Sequence, residues 1–219
     1  MIAQTFVRRT IGTSLFLAAF LAAAPAFAQG PYVIVGGDVT HRERSAESST
    51  TYTDWKVGWG FNAAGGYQTK TGLAVEGEYS LFNNASRVTA SDVTGPAPGV
   101  GHVHLNMFFA NGRYTVPIPG PVSVYFGGGL GGYKSTLYGL SNTIAQSFGF
   151  AANGTNDGVV FAYQLRAGAT LKFGKHFGVL AGYRYVHGND LLFKGTAFGD
   201  LTPNGAKLHC FDFNLKIGF

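Results

Sequence analysis

The sequence predicts an all-β fold, an eight-stranded antiparallel up-and-down transmembrane β-barrel, and three observations predict it. The chain closes on Phe211-Asp212-Phe213-Asn214-Leu215-Lys216-Ile217-Gly218-Phe219, in which every second residue is large and apolar. A strand sends successive side chains to opposite faces, so one face of this run suits lipid and the other water. Eight such segments follow one another with short and long connections in strict alternation, as in a barrel with tight turns at one end and longer loops at the other. The 33 glycines and 15% aromatics suit closely spaced, tilted strands with ring belts at the lipid interfaces. Beyond residue 28 no apolar run is long enough for a membrane helix, so a chain that spans a bilayer here must do so as a closed barrel.

Residues 1–28 come first. Arg8 and Arg9 precede the apolar stretch Ile11 to Ala24, and Ala26-Phe27-Ala28 forms a small-x-small site before Gln29. This predicts a secretory signal peptide over 1–28, followed by a single barrel domain over 29–219. Removing Arg8 and Arg9 lowers the net charge from +5 to +3, an excess too mild to imply a nucleic-acid partner. Cys210 is the one cysteine, so export brings no internal disulfide and stability must come from elsewhere.

The expected strands cover 31–41, 53–66, 71–82, 102–116, 121–134, 158–172, 176–188 and 207–219. In the second, Trp55, Val57, Trp59 and Phe61 share the lipid face, opposite Asp54 and Lys56. In the third, Leu73, Val75, Tyr79 and Leu81 face lipid, opposite Glu76 and Glu78. The fourth is less clean: Val103, Leu105 and Met107 have one parity and Phe108, Ala110, Tyr114 and Val116 the other, which suggests a bulge or register change. The fifth follows Pro117-Ile118-Pro119-Gly120, which cannot extend a ladder, and contains the run Gly127 to Gly132, where glycine permits curvature and close strand approach. The sixth turns Phe161, Tyr163, Leu165 and Leu171 outward against Gln164 and Arg166. The seventh turns out Phe177, Val179, Tyr183 and Tyr185 against Arg184, and the eighth sets Asp212, Asn214 and Lys216 inward. The connections 42–52, 83–101, 135–157 and 189–206 collect Ser, Thr, Asn, Gly and Pro; those around Pro96-Ala97-Pro98 and Asn153 to Gly158 read as mobile.

Charge is thereby concentrated on the inner face. Eight strands enclose a space just wide enough for side chains, so Glu76 and Glu78 are expected to pair with Arg113, Arg166 and Arg184, with Asp212 and Lys216 on the same wall. Two readings stand side by side: a structural plug, or a gate whose ion pairs rearrange to admit water and small ions.

The blocks Gly72-Leu73-Ala74-Val75-Glu76-Gly77-Glu78-Tyr79, Pro121 to Gly132, Phe161-Ala162-Tyr163-Gln164 and Gly182-Tyr183-Arg184-Tyr185, taken in order with the terminal Phe219, resemble the small outer-membrane β-barrel family of OmpA-type transmembrane domains and opacity-like surface antigens. The resemblance implies a monomeric barrel in the outer membrane of a Gram-negative cell, exported through the periplasm. It further implies that the barrel-assembly machinery inserts it by reading Phe211, Phe213, Leu215, Ile217 and Phe219. Members include adhesins, surface antigens and weak, porin-like pores. Many OmpA-type proteins continue into a peptidoglycan-binding domain; this chain stops at its last strand, so tethering by that route is not expected.

Other chemistry finds little support. Lipid A deacylases have a His-x-Ser-Asn stretch, but His187-Gly188-Asn189-Asp190 lacks the serine where the motif needs it. His102 and His104 share a strand face, with His209 elsewhere, and supply too few ligands for a zinc site. Gly127 to Gly132 lacks the lysine of a phosphate loop. His41-Arg42-Glu43-Arg44 could meet lipopolysaccharide phosphates or simply be solvated. The expectation is a non-enzymatic barrel without cofactor, embedded in outer-membrane lipid and lipopolysaccharide, whose loops serve envelope integrity or contact with host, phage or neighbouring cells. A narrow gated channel is the alternative, and a lipid A-modifying enzyme using His187 is third.

Overall fold

The computed structural model describes residues 30–43, 45–46, 51–90, 99–138, 154–155, 158–174, 176–190, 193–196, 199–201 and 205–219. The segment read as a signal peptide lies outside them. Eight strands form the wall: β1 Gly30–Arg42, β2 Gly58–Gln68, β3 Leu73–Ala90, β4 Gly99–Thr115, β5 Val122–Tyr138, β6 Val160–Phe173, β7 Phe177–Gly188 and β8 Lys207–Gly218. Each pairs antiparallel with its sequence neighbours, and β1 pairs with β8, so the sheet closes on itself. Closure satisfies the wall's backbone without an edge, the condition for sheet structure inside lipid.

The paired residues Tyr32, Gly66, Glu76, Asn111, Gly129, Gln164, Val186 and Leu208 run once round the wall and return to β1 at Arg42, ten residues above the start. A shear of ten over eight strands, at ~3.3 Å per residue and ~4.8 Å between strands, tilts the strands by about 40°. All three short turns lie at one end, and each uses a glycine at positive φ: Gly72 (86°), Gly120 (109°) and Gly174 (70°).

Three features depart from the sequence expectation. Trp55 pairs with Ser86 but Trp59 with Asn83, so β3 spends one residue fewer than the facing strand between these pairs. This is a β-bulge at Lys56 and Val57, and it splits the expected strand 53–66 into Thr51–Trp55 and β2. Because one extra residue reverses side-chain parity, Trp55 packs against the interior instead of lipid, and Lys56 is exposed instead of inward. The Asp54 side chain lies outside the described residues. Second, β4 has no bulge: its register with both neighbours is continuous, and Val103, Leu105, Met107, Phe109, Asn111, Arg113 and Thr115 all face inward. Its pattern looked broken because the interior itself changes from apolar to polar along the strand.

Third, β3 runs 18 residues and stays paired with β4 as far as Val88 and Gly99, where roughly 9–11 residues suffice to cross a bilayer. Much of the connection read as loop 83–101 is thus a hairpin standing beyond the lipid. Gly154 and Thr155, read as part of a mobile loop, likewise pair with β5. The last long connection holds the small sheet Phe193–Thr196 with Gly199–Leu201.

Candidate functional site

The lumen is filled in layers. Its middle holds a chain of alternating charges that climbs the wall: Arg113, Glu76, Arg166, Glu78, Arg184, Asp38. Arg113 Nη2 lies 3.1 Å from Glu76. Arg166 bridges Glu76 and Glu78, the latter at 3.0 Å. Arg184, wholly buried, reaches Glu78 at 2.6 Å and Asp38 at 3.3 Å. Glu76 and Glu78 each sit between two guanidinium groups and Asp38 ends the chain on one, which offsets the several kcal/mol each buried ion would otherwise cost.

Neutral donors complete the shell. The Tyr32 hydroxyl donates to Glu76 Oε1 at 2.6 Å. Ser80 Oγ and Asn111 Nδ2 donate to Glu78 at 2.8 and 2.9 Å, and Asn62 Nδ2 to Asp38 at 2.9 Å. Of the residues named from sequence, Glu76, Glu78, Arg113, Arg166 and Arg184 come together in this chain. Asp212 and Lys216 share the lumen without joining it: Asp212 accepts from Asn214 at 2.7 Å, and Lys216 Nζ donates to Gln68 at 2.5 Å. Sequence reasoning missed Asp38. Val33, Ile34 and Val35 make both faces of β1 apolar before Gly36 and Gly37, so no alternation singled out the inner side.

Glycine makes this packing possible. On β5 a Cβ at Gly129 would stand 1.8 Å from Asn111 Oδ1, and one at Gly131 would stand 1.8 Å from the Phe108 carbonyl oxygen and 2.8 Å from the Phe109 ring. The glycine run is where the inward side chains of β4 lie across its neighbour.

Toward the long-loop end the interior turns apolar. Phe82, Leu105, Met107, Val186, Leu208 and Cys210, from β3, β4, β7 and β8, form one cluster, each 1% exposed or less. Arg42 faces into the lumen above them, its guanidinium 3.8 Å from the centre of the Trp55 ring. Outside the wall Glu43 accepts from His209 Nε2 at 2.9 Å, and Tyr183 meets His209 Nδ1 at 2.5 Å.

The stretch His187-Gly188-Asn189-Asp190 makes contacts that hold the base of a loop. His187 stacks on Tyr163 with centroids 5.1 Å apart, the Asn189 carbonyl accepts from Tyr133 at 2.6 Å, and Asp190 Oδ1 accepts from the Gly205 amide at 2.8 Å. Among the described residues no three His, Cys, Asp or Glu side chains converge as a metal site. On β8, Phe211, Phe213 and Leu215 are exposed on the outer face and Ile217, of the same parity, is half-buried; Phe219, just past the strand, is exposed.

A wall closed by β1 and β8, apolar outside and ion-paired within, defines a transmembrane β-barrel of eight strands. The sequence profile described as outer membrane protein beta-barrel domain matches residues 14–214, and the chain belongs to that family of the outer membrane. No curated protein sequence matches it. Among solved structures it is similar to Neisserial surface protein A (14% identity, TM-score 0.61, covering 87% of this chain and 97% of that one). It is also similar to Ail, the attachment invasion locus protein of Yersinia pestis, solved with the heparin analogue sucrose octasulfate (14%, 0.51, 88% and 100%). A third is OprG from Pseudomonas aeruginosa (16%, 0.50, 88% and 95%). At these identities the likeness is one of fold.

Proposed function

We propose that this protein is a non-enzymatic scaffold with a closed lumen, exported through the periplasm and inserted by the barrel-assembly machinery, whose work is done by the loops it displays. The observation that carries this is the packed layer above the ion chain, in which Phe82, Leu105, Met107, Val186, Leu208 and Cys210 form one apolar cluster beside the buried, hydrogen-bonded Asn84 and Thr40. A water column would have to wet that layer as well as part the ion pairs. The long β3–β4 hairpin then serves to hold a loop tip clear of the membrane. Surface antigen or adhesion are the roles this geometry suits, with host, phage or cell-surface ligands as partners. That structural neighbours include a surface protein and an attachment invasion locus protein supports the reading. Outer-membrane lipid and lipopolysaccharide are its surroundings, and nucleic acid is not a partner.

The test replaces the tip at 91–98 and the other long connections by tight turns. Antibody raised against the intact barrel should bind intact cells, and this binding should fall at least tenfold for the trimmed protein inserted in equal amount. Unchanged binding contradicts display. A narrow gated channel is the second reading, favoured by one observation: Glu78 is shared between Arg166 and Arg184, the arrangement that a gating exchange of partners requires. Lipid A chemistry has less support, because the polar groups beside His187 are occupied in holding the loop base.

A further inference from the structure

Below the ion chain, the short-turn end opens as a vestibule of about 550 Å³ whose lining includes Arg113, Lys172, Lys216, Thr115, Ser123 and Thr170. None of its described lining residues has a side-chain carboxylate. Its two inner cations are held in place. The Arg113 guanidinium lies between the Tyr32 and Tyr125 rings, 5.2 and 5.5 Å from their centres, and Lys216 Nζ stands 3.9 Å from the Tyr32 centroid on its bond to Gln68. Aromatic faces stabilise cations without neutralising them.

Arg113 is 2% exposed, uses Nη2 on Glu76 and has the Tyr32 hydroxyl as a second neighbour, while Nε, Nη1 and the buried Ser123 Oγ have no partner in full hydrogen-bonding geometry. Buried donors left unmatched are costly, and here they line a cavity that is already cationic and reaches solvent. We infer that the vestibule is a binding site for a phosphoryl oxyanion, held by Arg113 and Lys216 with hydroxyl help from Ser123. Guanidinium groups suit this ligand because their planar N–H pairs match its oxygens. In the outer membrane this end faces the periplasm, so the phosphoryl group can belong to a free phosphate or phosphomonoester, or to an inner-leaflet lipid headgroup.

The experiment uses the purified barrel and its Lys216→Gln variant, a change outside the ion chain, with folding checked by the gel-mobility shift on heating. In an uncharged maltoside, inorganic phosphate and phenyl phosphate are titrated by calorimetry; in nanodiscs, retention of phosphatidylglycerol against phosphatidylcholine is read by ³¹P NMR. Saturable binding of either free phosphate, weakened at least tenfold in Lys216→Gln, supports the site with a soluble ligand. Retention of phosphatidylglycerol alone, lost in the variant, supports it with a headgroup. Binding absent in every arm, or equal in both proteins, overturns it.

Discussion

Arg166 shows most directly what a buried charge does in this lumen. It bridges Glu76 and Glu78, both nearly inaccessible, so removing it leaves Glu76 with Arg113 and Glu78 with Arg184 as the one remaining guanidinium each has in the ion chain. Breaking a buried pair from one side costs about 3–5 kcal/mol, whereas removing both partners costs far less. Arg166→Ala should therefore lower stability by about that amount in urea unfolding from lipid vesicles, and adding Glu76→Gln should restore part of it. A single variant as stable as the parent means the network is redundant. The five ion-chain residues named from sequence, and Asp212 and Lys216 with them, were legible because charge is rare on a barrel strand and alternation fixed its side. Asp38 was not, since the strand carrying it is apolar on both faces near its start.

Among elements, the strands and their order were legible wherever lipid imposes a period of two on both sides of the ladder. Their ends were not, because beyond the bilayer a ladder needs no apolar face. Ala85-Ser86-Arg87-Val88-Thr89-Ala90 continues β3, paired with β4 as far as Val88 and with Thr51–Trp55 from Ser86 to Ala90. The bulge at Lys56 and Val57 was hidden for a similar reason: the alternation Trp55, Val57, Trp59, Phe61 reads smoothly through it. The chain contains two tryptophans, and the bulge sets them on opposite sides of the wall. With Trp55 replaced by Phe, the remaining Trp59, 56% exposed, should be strongly quenched by brominated lipid. With Trp59 replaced, Trp55 should be largely protected. Equal quenching would mean that both rings face lipid and that the bulge is absent.

At the scale of the whole molecule, the interior is a sequence of layers along the axis: a cationic vestibule at the short-turn end, an alternating ion chain at mid-height, and an apolar cluster beneath the loops. In the proposed reading the third layer is the one that closes the lumen to water. The apolar layer was visible in the sequence only as an apparent irregularity of β4, because a fixed polar-in pattern was expected along the full strand. The most direct test of a closed lumen is single-channel conductance of refolded residues 29–219 in a planar bilayer, with insertion of folded barrel verified independently. A closed lumen predicts a silent membrane; reproducible discrete steps that change with Glu76→Gln or Arg166→Ala would contradict it and establish a gated pore.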